Sequence, residues 1–245
     1  MSALGLPSTS FSVALQVGKS LHPQNGPMRP SIRRIGFLQE ALRWWDRWLK
    51  DIDTGVEDDP AYRSYLMDGV RPKAWYTERP GRWIAEKRGA SSHLPVQTLH
   101  LGTDGTLDDA PQAMTAQVAS PAHCGAAAGE YCAIWLGPEM PGDQRGDDAL
   151  STTFTSAPLG ADMDLVGAPR LTLTLACDKP QGQIAVRLNH VHPDGAASRI
   201  TYGVLNLSRR NGPATPKGMT PDVAEEITLD LDHIAYRIPK GHRIR

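Results

Sequence analysis

The sequence predicts a mainly β protein in which one helix precedes an antiparallel β-sandwich. Apolar and polar residues alternate with a period of two in several stretches after residue 169, and this pattern is typical of strands with one buried and one solvated face. The 23 glycines and 20 prolines indicate many turns, as a domain of short strands requires. A single strongly amphipathic run, residues 35–50, lies in front of this β-rich region.

The amino-terminal region divides into irregular chain and a helix. Residues 1–34 are rich in Ser, Pro and Gly and show no sustained periodicity, so we expect them to be irregular. Residues 35–50 place apolar side chains at helical spacing over a broad face, which predicts burial against a sheet or a second domain. We therefore assign the tryptophans of this helix to packing and not to catalysis. The apolar face comprises Phe37, Leu38, Ala41, Leu42, Trp44, Trp45, Trp48 and Leu49.

The acidic stretch 51–59, which is followed by Pro60, predicts a domain boundary that separates residues 1–55 from residues 56–245. Residues 108–150 are rich in Ala, Gly and Pro and form a long connector, which is uncommon in a compact domain unless it has a role. Residues 240–245 indicate a turn and the opening of a further strand, so we expect a sandwich truncated at its carboxyl end. Strands are predicted around residues 62–69, 98–101, 171–175, 184–188, 200–204 and 227–231.

Composition argues against several classes of function. The net charge is −1 and the basic residues are scattered, so we expect no nucleic-acid partner. No apolar run reaches the roughly 20 residues of a membrane span and no leader pattern is visible, which predicts a cytoplasmic protein without a membrane partner. Cys124, Cys132 and Cys177 lack CxxC spacing and are interpreted as reduced thiols, with a Cys124–Cys132 bridge as the alternative.

Four stretches of the chain carry a family resemblance. They are the helix 35–50, the sequence LHLGTDGTL at 99–107, the sequence DMDLVGAP at 162–169, and the sequence VRLNHVHPDG at 186–195. In order and spacing they resemble the carboxyl-terminal part of the cocaine-esterase-like (CocE/NonD) and X-Pro dipeptidyl-peptidase-like serine hydrolases. The last stretch departs from the family pattern because His190 stands where Asp is usual.

The resemblance implies an α/β-hydrolase domain with a Ser-Asp-His triad, a helical cap, and a jelly-roll domain of the galactose-binding-like type. Residues 1–55 would then be a remnant of the hydrolase domain, with the helix 35–50 as its last helix, and residues 56–245 would be the jelly roll. Members of the family cleave esters or amides by acyl transfer, so the intact protein is expected to take a small-molecule ester or amide. His22 stands near the position of the triad histidine; a solvent-exposed loop histidine is an equal alternative.

The catalytic nucleophile is missing from the sequence. The turn that presents a hydrolase serine has the form G-x-S-x-G, and no such stretch occurs. Gly89-Ala90-Ser91-Ser92-His93 begins correctly but has His93 in place of the second glycine, so we interpret it as a surface loop. If His22 is the triad histidine, the serine and the aspartate both precede the chain, because the order in this fold is Ser, Asp, His. We expect the chain alone to be inactive.

Other candidate sites are weaker. His190 and His192 lie two apart on one predicted strand, so they share a face and could bind a metal, but only Asp194 stands nearby as a third ligand. We therefore interpret them as polar strand residues and expect neither a metal nor a cofactor. No Gly-rich phosphate loop is present. The adjacent carboxylates Asp58-Asp59, Asp147-Asp148 and Glu225-Glu226 are interpreted as solvated loops or strand ends.

Three hypotheses follow for the function of the chain. The first is a fragment of an ester- or amide-cleaving serine hydrolase, with an upstream hydrolase domain or a second copy of the chain as its partner. The second is a non-catalytic β-sandwich that binds carbohydrate or a partner chain. The third is a truncated product whose first 30 residues are foreign to the fold. Aromatic candidates for the second hypothesis are Trp75, Tyr76, Trp83 and Trp135.

Overall fold

The computed structural model describes residues 12–18, 36–86, 95–129 and 140–245, with the backbone alone for residues 12–18. The chain is mainly β, as the sequence predicts. Helix α1 spans Phe37–Lys50 and helix α2 spans Arg145–Asp148. Within these ranges, no helix has the length and apolar character that crossing a membrane requires. The strands are β1 (Ser12–Gly18), β2 (Tyr62–Asp68), β3 (Gly81–Glu86), β4 (Val96–Leu101), β5 (Thr106–Asp108), β6 (Thr155–Ser156), β7 (Met163–Gly167), β8 (Arg170–Leu175), β9 (Gln183–Val191), β10 (Ala197–Asn206), β11 (Glu225–Asp230), β12 (Ile234–Ile238) and β13 (Arg243–Ile244).

The strands form two sheets. The larger, with ten strands, has the order β3-β2-β12-β7-β1-β4-β5-β6, and β8 pairs with both β1 and β11 at its side. The smaller has the order β10-β9-β13. Most neighbours are antiparallel, while β2 with β12 and β5 with β6 are parallel. The topology therefore joins residues that are far apart in the sequence, such as the end of β2 and the middle of β12.

The two sheets enclose one principal apolar core. Its buried members come from β4, β5, β7, β11 and β12 of the larger sheet, from Leu231 directly after β11, and from β9 and β13 of the smaller sheet, so the structure has two layers. This core comprises Leu99, Leu107, Leu165, Leu188, Leu229, Leu231, Ile234, Tyr236, Ile238 and Ile244.

Six strands were not among those that the sequence pattern predicted, namely β1, β3, β5, β6, β7 and β12. Two of them, β1 and β12, show why. Residues 1–34 were predicted to be irregular, whereas β1 lies within them and pairs with β4, β7 and β8. Its alternation, Ser-Val-Ala-Leu-Gln-Val, is the local signal that could have indicated a strand. Strand β12 has the burial pattern of a strand covered on both faces, and such a strand carries no alternation to detect.

Helix α1 has the predicted position, but its packing differs from the prediction. No α1 residue is buried in the part of the chain that the structure describes. Trp44, Trp45 and Trp48 are 49%, 53% and 52% exposed. Among the described residues this apolar face is therefore not covered by a sheet, and its burial against a second domain stays a prediction. The helix is held instead on its charged side, where Arg43 pairs with Asp59.

The adjacent carboxylates Asp147 and Asp148 correct another expectation, because both are buried and not solvated. Asp147 is 4% exposed and accepts hydrogen bonds from the backbone amides of Gly125 and Ala127 at 2.9 and 3.0 Å. Asp148 is 7% exposed and accepts from Arg187 and from the Asn189 side chain at 3.2 and 2.9 Å. Arg187 and Asn189 belong to β9, so the end of the connector is fastened to the smaller sheet. Buried carboxylates of this kind require such partners.

Candidate functional site

Several candidates from the sequence lie outside the described residues. These are His22, the stretch 89–93 and Trp135. The placement of His22 as the triad histidine thus stays a prediction.

The described residues bring three histidines together between the two sheets. His190 and His192 come from the end of β9 and its turn, and His242 comes from the turn before β13. One ligand nitrogen of each histidine lies within 4.8 Å of those of the other two. His190 is fully buried, His192 is 6% exposed, and His242 is partly exposed. The rings of His190 and His192 stack with centroids 4.1 Å apart.

Local chain geometry explains how the histidines converge. A tight turn with Gly195 at φ +87° closes the connection from β9 to β10, and the amide of His192 donates to the carbonyl of Ala196 at 2.8 Å. Strand β13 pairs with β9 so that Ile244 lies opposite His190. The preceding turn, with Gly241 at φ +81°, then carries His242 over the end of β9. Glycine adopts this left-handed conformation without steric cost.

Hydrogen bonds fix the orientation of each ring. His190 Nδ1 lies 3.0 Å from the hydroxyl of Tyr236, which belongs to the opposite sheet, and His190 Nε2 lies 2.6 Å from His242 Nδ1. His192 Nε2 lies 3.1 Å from Ser198 Oγ. Ser198 Oγ in turn donates to the carbonyl of Val70 at 2.8 Å. The cluster therefore bridges the two layers of the fold.

Burial keeps these side chains neutral. Desolvation lowers the pKa of His190 to about 3, with His192 and His242 adding to the effect. Burial also lowers the pKa of His192 and of His242. In the same way, burial raises the pKa of the Tyr236 hydroxyl far above its ordinary value. At neutral pH each imidazole thus offers a lone pair that no proton occupies.

The rim of the cluster is charged and turned towards solvent. Arg71 forms an ion pair with Asp194, and both side chains are about half exposed. The Arg71 partner lowers the pKa of the Asp194 carboxyl. Beneath the rim, Gly69 approaches His190 so closely that a Cβ at this position would meet His190 Cε1 at 2.7 Å. A larger residue at position 69 would therefore displace the buried ring.

The structure supplies a third histidine beside His190 and His192, and it places Asp194 and Glu225 in ion pairs with arginines. The prediction that His190 and His192 lack a third nitrogen ligand is wrong, because His242 supplies it from 52 residues away in the chain. No local pattern could have revealed this, since the contact depends on the pairing of β13 with β9. Asp194 pairs with Arg71 at the rim, and Glu225 pairs with Arg210 at 2.7 Å.

Ser198 and His192 have the spacing of a nucleophile and its base, but not the setting. A catalytic serine of a hydrolase sits on a sharp strand-to-helix turn, open to substrate. Ser198 instead lies within the regular strand β10 and is 5% exposed. Its hydroxyl hydrogen is engaged by the carbonyl of Val70. The pair is therefore a structural contact.

The fold and the site define a class: a two-layer β domain without a presented nucleophile in its described residues. Residues 54–245 match the X-Pro dipeptidyl-peptidase C-terminal non-catalytic domain. The chain therefore belongs to this family.

Two curated relatives extend beyond this chain. Proteins of Mycobacterium bovis and Mycobacterium tuberculosis, each named as a serine esterase, are 27% identical over 267 residues. The alignment covers 93% of this chain but only 38% of either relative. The chain thus spans well under half the length of the curated relatives it matches.

Solved structures agree on the fold. A CocE/NonD family hydrolase from Staphylococcus aureus has a TM-score of 0.58 at 15% identity, over 84% of this chain and 36% of that one. An aminopeptidase from a marine sediment archaeon has a TM-score of 0.57 at 19% identity, over 83% and 34%. An α-amino acid ester hydrolase has a TM-score of 0.53 at 20% identity, over 66% and 31%.

Proposed function

We propose that this chain is the accessory part of a serine hydrolase that cleaves small esters or amides, and that it docks onto a catalytic α/β-hydrolase domain through α1. The observation that carries the proposal is the exposed apolar face of α1. Leu38, Trp45 and Leu49 are 75%, 53% and 72% exposed, whereas contiguous apolar surface of this kind normally marks an interaction site.

The docking face is broad enough to matter energetically. Each large apolar side chain that moves from water into an interface contributes about 1.5–3 kcal/mol. The two apolar rows of α1 lie side by side, so one flat partner surface can cover both. The seven members that are at least 49% exposed are Phe37, Leu38, Leu42, Trp44, Trp45, Trp48 and Leu49.

The proposal also assigns the amino-terminal and carboxyl-terminal parts of the chain to different domains. We assign residues 1–55 to the hydrolase domain, with His22 as the triad histidine, except for β1, which pairs with β4, β7 and β8 of the larger sheet. We assign residues 56–245 to a jelly roll of the galactose-binding-like type. The family membership and the two-layer β architecture support the second assignment. The absence of a G-x-S-x-G stretch from the sequence supports the view that the chain alone does not turn over substrate.

A docking test uses two matched double variants of α1. Leu38→Ser/Trp45→Ser removes part of the apolar face, and Gln39→Ser/Lys50→Ser places the same residue on the charged side. The binding partner is the mycobacterial relative expressed without the segment that matches this chain. We expect co-purification with the wild-type chain and with the charged-side variant, and loss of binding for the apolar-face variant. Equal binding by both variants would refute docking through α1.

The stability of the isolated variants separates docking from folding. If the apolar face is a surface, Leu38→Ser/Trp45→Ser changes the free energy of unfolding by no more than the charged-side variant does, within about 0.5 kcal/mol. A loss of several kcal/mol would place the face in a core of this chain and contradict the proposal.

An activity test addresses the missing nucleophile. The purified chain is treated with an activated p-nitrophenyl ester and with a fluorophosphonate that labels reactive serines. We expect neither turnover nor labelling. A burst of product that disappears in His22→Ala would show that the chain is itself a competent hydrolase.

The alternative of a carbohydrate- or partner-binding module lacks a supporting cluster in the described residues. Trp75 is 60% exposed, but Trp83 lies in β3 and packs on Tyr65 with ring centroids 5.5 Å apart. The Tyr76 hydroxyl is engaged by the backbone of Arg71 at 2.6 Å. These three aromatic side chains thus do not share an exposed platform.

A further inference from the structure

The cluster of His190, His192 and His242 has no part in the proposed hydrolase function, yet it gathers three imidazoles from two separate segments. Imidazole nitrogen is a ligand for zinc, copper, nickel and cobalt, whereas magnesium and calcium require oxygen. The three nitrogens already lie within 4.8 Å of one another. The identity of the donors therefore narrows the ligand to a divalent transition metal.

The tautomer of His192 leaves its Nδ1 without a hydrogen. Ser198 Oγ has one hydrogen, which it donates to the carbonyl of Val70 at 2.8 Å. The contact of 3.1 Å between Ser198 Oγ and His192 Nε2 must then be a donation from the His192 Nε2–H. His192 Nδ1 consequently carries a lone pair.

The contact between His190 and His242 marks the place where an ion would lie. His190 Nε2 and His242 Nδ1 are 2.6 Å apart, and two lone pairs cannot face each other at this distance, so a proton lies between them. A metal ion can take the place of that proton. Tetrahedral zinc with bonds of 2.0–2.1 Å separates its ligand nitrogens by about 3.3–3.4 Å, so these two would move apart by about 0.7 Å. His242 can make this adjustment because it lies in a partly exposed turn.

The ring nitrogens that would not bind the ion, Nδ1 of His190 and Nε2 of His192, have the partners that metal-binding histidines usually have. When a histidine binds a metal through one nitrogen, its other nitrogen normally donates to an oxygen that fixes the ring. Ser198 serves His192 in this way, and the Tyr236 hydroxyl at 3.0 Å serves His190. Burial lowers the pKa of all three imidazoles, and protons therefore compete little with a metal at neutral pH.

We propose that His190, His192 and His242 bind one zinc-like divalent transition metal, which clamps the end of β9 to the turn before β13. Three protein nitrogens occupy three positions of a tetrahedral ion, and water from the exposed side of His242 occupies the fourth.

The test titrates the chelator-treated chain with Co²⁺, followed by its visible d–d absorption, and with Zn²⁺, followed by calorimetry. We expect one equivalent to bind. His242→Gln and His192→Gln should each weaken binding by more than about 100-fold, and Ser198→Ala by about 10–100-fold. His233 is exposed and is not a member of the group of three, so His233→Gln is the matched control and should bind as the wild type does.

A second measurement needs no variant and covers the case in which a substitution prevents folding. Diethyl pyrocarbonate acylates accessible neutral imidazoles, and mass spectrometry locates the modified residues. Zn²⁺ should slow the modification of His242 and leave that of His233 unchanged, and a chelator should reverse the protection. Absence of Co²⁺ binding by the wild-type chain, or equal loss in His233→Gln and His242→Gln, would overturn the proposal. Because no hydrolase activity is measured, failure here leaves the docking proposal unaffected.

Discussion

Asp164 is a buried carboxylate on β7 that holds two arginines, Arg237 of the neighbouring strand β12 and Arg82 of β3. It is 1% exposed and accepts from Arg237 Nε and Nη2 at 2.6 and 3.0 Å and from Arg82 Nη2 at 2.8 Å. Arg237 stands directly opposite Asp164 in the β7–β12 ladder. We predict that Asp164→Asn, which keeps the shape and removes the charge, destabilises the larger sheet.

The expected loss in the free energy of unfolding depends on how exposed the two arginines are. Removal of one partner of a buried ion pair costs about 3–5 kcal/mol, because it leaves the other charge uncompensated. The Arg82 and Arg237 side chains remain 26% and 25% exposed, so water can partly solvate them after the substitution. We therefore expect a loss of about 2–3 kcal/mol in the free energy of unfolding, measured by urea denaturation at neutral pH.

Asp162 provides the matched control. Its carboxylate lies 3.9 Å from the same Arg237 but is 54% exposed, and exposed pairs contribute about 0–1 kcal/mol. Asp162→Asn should cost about 0.5 kcal/mol or less. If Asp164→Asn costs no more than Asp162→Asn, the reasoning from burial is refuted.

Two further predictions concern backbone packing and pH. A Cβ at Gly81 would collide with the carbonyl of Leu66 in the adjacent strand, so Gly81→Ala should lower the free energy of unfolding in urea by about 1–3 kcal/mol. Gly160 has nothing near the position of a Cβ, so Gly160→Ala should be neutral or mildly stabilising. Equal effects of the two substitutions would contradict this reasoning. The hydrogen bond from Arg170 lowers the pKa of Asp230 in the folded state. Their exposed pair therefore adds a small stability that is fully present above the pKa of Asp in the unfolded chain, about 3.9. This stability is lost as the pH falls through the pKa of Asp230 in the folded state. Asp230→Asn should therefore lower the thermal midpoint slightly at neutral pH, and this difference from the wild type should shrink as the pH falls below the unfolded pKa. An equal shift at every pH would argue against the linkage.

The local elements of this protein follow from its sequence alone. Strands β8 and β11 carry a strict period of two, and α1 carries a helical period, because one face of each element differs from the other. The same period placed His190 and His192 on one face. Where both faces are covered, as in β12, the pattern vanishes and the strand could not be predicted.

The tertiary structure decided which of these elements meet, and with that the candidate site. His242 joins His190 only because β13 pairs with β9, and Asp148 is buried only because Arg187 and Asn189 of β9 reach it. The exposure of the α1 tryptophans likewise depends on what lies beside the helix and not on its periodicity. A short window of sequence records the two faces of an element, whereas the identity of its neighbours depends on long-range strand pairing that no single window contains.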